Sequence, residues 1–332
     1  MGYKKITENF LPINLEEMRQ EGFLKENNGF FEEHHLKINS KNGWKEITRC
    51  PLCESEEKIT EFSKFGVKIV GCKKCNLRYA GKIPANLSDV YDGKSYLSES
   101  VDTYAKNIEY RKERFGKERV KLIKSFLKKE NAKLLDVGCG IGWFLEVAKV
   151  NGFEIFGQEF GKELANWTSK RLGIKIWSQP IEELNAEIKF DVITLFDVIE
   201  HVENPLQFLK SCKRLLTDEG IIVVFTPNFD SLAIQIMKEH SNLIGPSAHL
   251  VYFNEESIKT LAEKVNMDIL YCKTHGIDLG DLKSYYEWLG ENELSKSCVK
   301  LYPLLQPAVD AAGAGNHFRF IFKNTKNDKL LK

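Results

Sequence analysis

From about residue 131 onward, short apolar runs alternate with amphipathic stretches. The runs include Leu134-Leu135-Asp136-Val137, Ile155-Phe156-Gly157, Ile174 to Trp177, Val192-Ile193-Thr194-Leu195-Phe196 and Gly220 to Phe225. Such runs, bounded by Gly, Asp or Asn, predict buried strands. Between them, Trp143 to Ala148 and Glu255 to Val265 carry helical spacing, while Met267 to Cys272 and Phe318 to Phe322 predict two closing strands. The sustained alternation predicts an α/β fold with a doubly wound sheet and its ligand at the carboxyl ends of the strands.

The first third is patterned differently. Lys58 to Phe65 and Val67 to Gly71 predict short strands around a turn at Gly66. Across 103–129, Ile108, Phe115, Val120, Ile123 and Leu127 recur among charges and predict one or two amphipathic helices. Residues 1–49 are less readable: Leu15 to Gln20 suggests a short helix, and His34 and His35 read as solvated loop residues. Phe23, Phe30, Phe31 and Trp44 either pack on the following segment or cover a substrate. Helices are expected over Leu279 to Trp288 and Cys298 to Ala312, where Tyr285, Tyr286 and Trp288 either pack or stack on a ligand. The expected units are an extension (1–49), a small metal-bound module (50–84), a helical linker or lid (85–130) and an α/β domain (131–323) with a helical insertion at about 274–315.

Composition narrows the partners. The chain has 332 residues with 48 Lys plus Arg against 47 Asp plus Glu, a net charge of +1. A dominant basic field is absent, so nucleic acid is not the expected partner. No apolar run approaches the roughly 18 residues of a spanning helix, and Met1 to Lys5 begins no signal peptide. A cytoplasmic protein with reduced thiols is expected; oligomeric state is not legible.

Four of the eight cysteines form Cys50-Pro-Leu-Cys53 and Cys72-Lys-Lys-Cys75, with eighteen residues between the pairs. That spacing is a zinc pattern. Two thiolates on each tight knuckle face one ion, and two knuckles close a tetrahedral shell. The expectation is a zinc ribbon whose Zn2+ is structural, since four thiolates leave no open position.

The string Lys133-Leu134-Leu135-Asp136-Val137-Gly138-Cys139-Gly140-Ile141-Gly142 reads as a strand, a glycine turn and a helix start. Glycines let a backbone approach a ligand closely, and a helix N-terminus offers unpaired N–H groups. The G-x-G-x-G spacing is not the G-x-G-x-x-G of a dinucleotide fingerprint, and it lacks the Lys and Ser or Thr of a phosphate loop. Asp136 at the strand end would repel a pyrophosphate but suits an ammonium group.

This string resembles the first motif of the class I S-adenosylmethionine-dependent methyltransferases. Phe190 to Val202, closing on Glu200-His201, resembles the fourth-strand motif, and His249-Leu250-Val251-Tyr252-Phe253 a later one. Cys50-Pro-Leu-Cys53, Cys75-Asn76-Leu77-Arg78-Tyr79 and Tyr91-Asp92-Gly93-Lys94-Ser95-Tyr96-Leu97 resemble a bacterial branch with an N-terminal zinc ribbon, often linked to sugars, polysaccharides or secondary metabolites. The resemblance covers about residues 50–273 and 313–323. It implies a seven-stranded Rossmann-like methyltransferase sheet and S-adenosyl-L-methionine as cofactor. It also implies cofactor-binding roles for Gly138, Gly140, Gly142, Glu159 and the following Phe160. Glu159, 23 residues after Asp136, would hold both ribose hydroxyls. Pro180 stands where many members have Asp, so adenine contact falls to backbone and to Ile181 or Glu182. Phe196 and Asp197 would line the cleft, Asp136 would orient the loop, and Tyr104 and Arg114 would reach the cofactor carboxylate.

Methyl transfer to a hydroxyl benefits from a base working near pH 7. His249 and His201 are the candidates; alternatively, His249 anchors its loop and the Glu200-His201 pair braces a helix. The leading expectation is O-methylation of a small molecule or saccharide. The alternatives are an RNA methyltransferase guided by the ribbon and a non-catalytic cofactor-binding scaffold.

Overall fold

The computed structural model describes residues 11–41, 43–87, 98, 100–101, 107–185 and 187–325. The short helix expected after Asn14 forms at Leu15–Met18 and is followed by a long helix, α1 (Phe23–Lys41). Leu24, Phe31, His35 and Ile38 form its buried stripe, at the spacing one helix face requires. His34 and His35 are therefore helical, not loop residues. His35 is buried between Trp44 and Phe65, with ring centroids 4.7 and 6.0 Å away.

β1 (Trp44–Glu46) pairs with β5 (Lys82–Pro84). Between them lie β2 (Lys58–Lys64), β3 (Val67–Cys72) and β4 (Arg78–Ala80). The β2–β3 hairpin turns on Phe65 and Gly66, both at positive φ (50° and 73°), the backbone that a tight two-residue hairpin needs. Its two knuckles bring Cys50 Sγ to 3.5 Å from Cys75 Sγ and Cys53 Sγ to 3.4 Å from Cys72 Sγ. All four sulfurs lie within 4.8 Å of one another. Thiolates bound at about 2.3 Å to one tetrahedral ion sit roughly 3.8 Å apart, so this cluster can hold zinc.

The central sheet is built from β6 (Lys133–Val137), β7 (Glu154–Gln158), β8 (Ile176–Trp177), β9 (Phe190–Phe196), β10 (Leu216–Pro227), β12 (Met267–Thr274) and β13 (His317–Asn324). Its order is β12-β13-β10-β9-β6-β7-β8. The strands from β10 to β8 run parallel, and β13 inserts antiparallel between β10 and β12. This is the expected Rossmann-like methyltransferase sheet. Helix α2 (Lys117–Phe126) leads into β6, and helices α3 (Trp143–Val150), α4 (Lys162–Leu172), α5 (Pro205–Leu215), α6 (Leu232–Met237) and α7 (Glu255–Val265) lie in the connections between the strands. Phe190, Phe320 and Phe322 are fully buried on it, each contributing about 1.5–3 kcal/mol. The insertion forms α8 (Asp278–Trp288) and α9 (Asn292–Ala311). No helix among the described residues is long and apolar enough to cross a membrane.

The ribbon is not a separate bead. Its sheet has the order β11-β4-β3-β2, where β11 (Val251–Tyr252) comes from the second half of the chain. The Ala80 N–H donates to the Leu250 carbonyl (2.9 Å), and the Leu250 N–H donates to the Glu200 carbonyl (2.7 Å). The cysteine knuckles are thus tied by backbone to the segment carrying His249. Replacing Cys72 with Ser, or stripping the metal with a strong chelator, should lower the melting temperature on the order of 5–10 °C. Amide exchange at Ala80 should accelerate with it; unchanged melting and exchange would mean that the ribbon folds without metal.

Candidate functional site

A cavity of about 680 Å³ opens at the carboxyl ends of β6, β7 and β9. One wall is the glycine turn after β6. Gly138, Gly140 and Gly142 all take positive φ (67°, 52° and 76°), which L-residues with a Cβ resist. Their surroundings differ. A Cβ on Gly138 would meet Val198 at 2.6 Å, and one on Gly142 would meet Leu172 at 2.6 Å and Thr168 at 2.9 Å, whereas one on Gly140 would meet nothing within 4 Å. Gly142 packs the turn onto α4 and does not line the cavity. Gly138 and Gly140 do.

Glu159 follows β7 and lies in the same wall, 4% exposed. Its carboxylate accepts the Gly140 N–H (3.0 Å) and the Gly161 N–H (2.9 Å). Burial raises its pKa, against these two bonds. A carboxylate offers about four lone-pair positions, so capacity for a ligand's hydroxyls remains. Gln158 Nε2 donates to the Gln179 carbonyl at 3.0 Å, joining the adenine-loop candidates to β7. Phe160, Ile181, Glu182, Phe196 and Asp197 also line this cavity. Phe196 is held edge-on by Phe144 (4.9 Å) and Phe225 (4.8 Å).

Asp136 lines neither this cavity nor the smaller one beside it. It is buried in the sheet and accepts the Thr194 hydroxyl at 2.6 Å, and burial pushes its pKa up to about 7. Asp197 sits where the two cavities meet, at a left-handed φ of 59°. Burial opposes its charge, but the hydrogen bond and charge of His317, with Arg119, hold its carboxyl at about 2.

Arg114 departs from expectation. It donates to Glu118 Oε2 and to the Leu11 carbonyl, both at 2.5 Å, and lines neither cavity. Arg119, five residues along, reaches the Phe196 ring that lines the large cavity. It lies 4.1 Å over the Phe196 ring, and its Nε has no hydrogen-bond partner among the described residues. With Asp197, His317 and Arg319 it lines the smaller cavity of about 140 Å³. Sequence reasoning missed it, although Phe115, Arg119, Ile123 and Phe126 form one helical stripe in which an arginine stands out. Tyr104 and the Tyr91 to Leu97 segment lie outside the described residues. Tyr285 and Trp288 pack against each other (6.1 Å) and His240, and α8 lines neither cavity. These aromatics make ring contacts with one another and line neither cavity.

The large cavity is also lined by Phe30, Phe31 and His34 of α1, with His201, Ala248 and His249. The His201 and His249 rings are 4.8 Å apart. His201 Nδ1 faces the Ala248 carbonyl (3.0 Å) and His249 Nδ1 the Leu243 carbonyl (2.8 Å). Each Nδ1 therefore carries the proton and each Nε2 the lone pair. Burial, with the charge of His249, lowers the His201 pKa to about 3; burial also lowers that of His249. Phe31 stands edge-on to His249 at 6.0 Å. Of the α1 aromatics, Phe30 and Phe31 line this cavity.

Two outcomes are expected. Gly140→Ala should cost about 1–2 kcal/mol of stability from its φ alone yet weaken S-adenosylhomocysteine binding strongly, whereas Gly142→Ala should destabilise more because its Cβ meets α4. Equal losses in both would remove the distinction. Asp136 has a folded pKa above its ordinary 3.8, so its stabilising protonation is complete at low pH and lost as pH rises through about 7. Melting curves of Asp136→Asn should fall less steeply with pH than the parent's across about 4 to 7; parallel curves would contradict the assignment.

Residues 108–271 match the family model described as "Methyltransferase domain". A ubiquinone biosynthesis O-methyltransferase of Caulobacter sp. (strain K31) is 33% identical over 116 residues, covering 33% of this chain and 46% of that protein. One of Histophilus somni (strain 2336) is 38% identical over 108 residues, 29% of this chain and 45% of that protein. The chain spans about half the length of these curated relatives. Among solved structures, a SAM dependent methyltransferase from Archaeoglobus fulgidus is similar at 19% identity and a TM-score of 0.47, covering 69% of this chain and 100% of that one. Over residues 108–271, just under half of its length, the chain is similar to the methyltransferase domain family.

Proposed function

We propose that the chain is an S-adenosylmethionine-dependent methyltransferase that methylates a hydroxyl of a small-molecule or saccharide acceptor. One observation carries the reading: a single cavity is lined by Gly138, Gly140 and Glu159 together with His201 and His249. When bound, the cofactor supplies a sulfonium-activated methyl group. Glu159 accepts the ribose hydroxyls with the lone pairs its backbone bonds leave over. The loop N–H groups and Arg119 receive the amino-acid end. The aromatic rings of Phe30 and Phe31 cover the acceptor and keep water from competing for the methyl group. Alignment across the cavity supplies much of the rate.

His249 is the better of the two proton acceptors. Its Nδ1–H is fixed on Leu243, so Nε2 presents a lone pair to the cavity. Burial keeps the ring neutral, hence receptive, at pH 7. His201, held at about 3, is too weak a base to lead and orients its neighbour. The hydroxyl proton passes to His249 Nε2 as the oxygen takes the methyl group, then leaves to solvent.

Calorimetric titration with S-adenosylhomocysteine, with NADH as control, tests the reading. Micromolar binding of the former alone is expected, weakened at least tenfold by Glu159→Gln. His249→Ala should keep that affinity while methyl transfer to a responsive acceptor falls by about 10²–10⁴. Failure of the parent chain to bind S-adenosylhomocysteine, or binding of NADH in its place, would overturn the reading.

A further inference from the structure

Glu200 lies next to the two histidines and is 1% exposed. Its Oε2 accepts the Thr226 hydroxyl at 2.9 Å. Its Oε1 is buried and has no hydrogen-bond partner among the described residues. An unmatched buried carboxylate oxygen costs several kcal/mol, and nothing in the methyl-transfer reading requires one. Ligand atoms of Glu200, His201 and His249 lie within 4.8 Å of one another. Both rings have Nδ1 committed to a backbone carbonyl, the outer hydrogen bond that metal-binding imidazoles ordinarily make. Each ring is thereby fixed with Nε2 as the coordinating atom.

From this geometry we propose that Glu200, His201 and His249 bind a divalent first-row transition ion. Two imidazoles and one carboxylate suit such ions better than Mg2+ or Ca2+, which prefer all-oxygen shells. The three ligands come from the turn after β9 and the segment before β11; His201 and His249 line the cavity while Glu200 is buried behind them, so the remaining positions lie toward the cavity. Glu200 and the β11 segment are also joined by the Leu250 N–H bond to the Glu200 carbonyl, which fixes the spacing between them. This site is distinct from the ribbon cluster, whose four thiolates leave no position for a further ligand.

The use of the ion rests on the methyl-transfer reading; its presence does not. An acceptor hydroxyl entering an open position would lose its proton to water more readily, as metal-bound water does near neutral pH. The ion then takes over the activation otherwise assigned to His249 Nε2, and the two rings serve as its ligands.

The test uses the full chain with zinc in its ribbon, titrated with Co2+. One further equivalent should bind, giving visible absorption of nitrogen and oxygen ligation without a thiolate-to-cobalt charge-transfer band. Proton NMR of the unmodified chain should show two far-shifted exchangeable imidazole N–H signals, one from each retained Nδ1–H. Glu200→Gln and His249→Ala should each weaken uptake at least tenfold, and His240→Ala, on an exposed ring, should not. No uptake, uptake with the thiolate band alone, or undiminished affinity in both variants would overturn the site. S-adenosylhomocysteine is titrated into the same samples. Its binding without cobalt uptake discards the ion and leaves the methyl-transfer reading, whereas cobalt uptake without its binding does the reverse.

Discussion

The cavity depends on one carboxylate. Glu159 ties the end of β7 to the glycine turn after β6 through Gly140 and to the start of α4 through Gly161. Three segments that converge at the carboxyl edge of the sheet are thereby locked in one arrangement. The positive φ of Gly138 and Gly140 is tolerable only because these residues lack a Cβ, and the carboxylate holds the turn in that conformation. Charge, strain and burial are concentrated where a parallel sheet presents its ligand site. A buried carboxylate bonded to two N–H groups still retains acceptor capacity, so the same group can brace the loop and receive a ligand.

The second constraint joins the ribbon to the segment carrying His249. β4 pairs on one side with β3, which ends at Cys72, and on the other with β11, which begins two residues after His249. A metal held by the cysteines therefore acts at a distance through backbone register rather than by chemistry of its own. α1 meets the same segment: Phe31 packs so closely that a Cβ on Gly245 would lie 2.5 Å from its ring. Ribbon, helix and loop together place the histidines in the cavity that the glycine turn also lines.

The sheet was legible because its strands are short apolar runs punctuated by Gly, Asp and Asn, and α7 was readable end to end from Asn254 at its cap to Asn266 at its close. The cysteine knuckles were legible because their spacing is dictated by the ion they surround. α1 was not. His35 occupies its buried stripe, and Asn27, Asn28 and Gly29 interrupt its pattern, so its stability comes from packing that spacing alone does not reveal. β11 is two residues long and exists only through a partner far away in the chain. The choice of Arg119 over Arg114 turned on which face of one helix meets the sheet. The unmatched oxygen of Glu200 depends on a folded neighbourhood that no local pattern encodes.

The most direct test of the central claim is a crystal structure of the chain with S-adenosylhomocysteine bound. The account predicts the ribose hydroxyls on the Glu159 carboxylate, the amino-acid end against the glycine turn and Arg119, and the sulfur facing His249 across the cavity. A ligand lodged elsewhere, with Glu159 bonded only to Gly140 and Gly161, would contradict it.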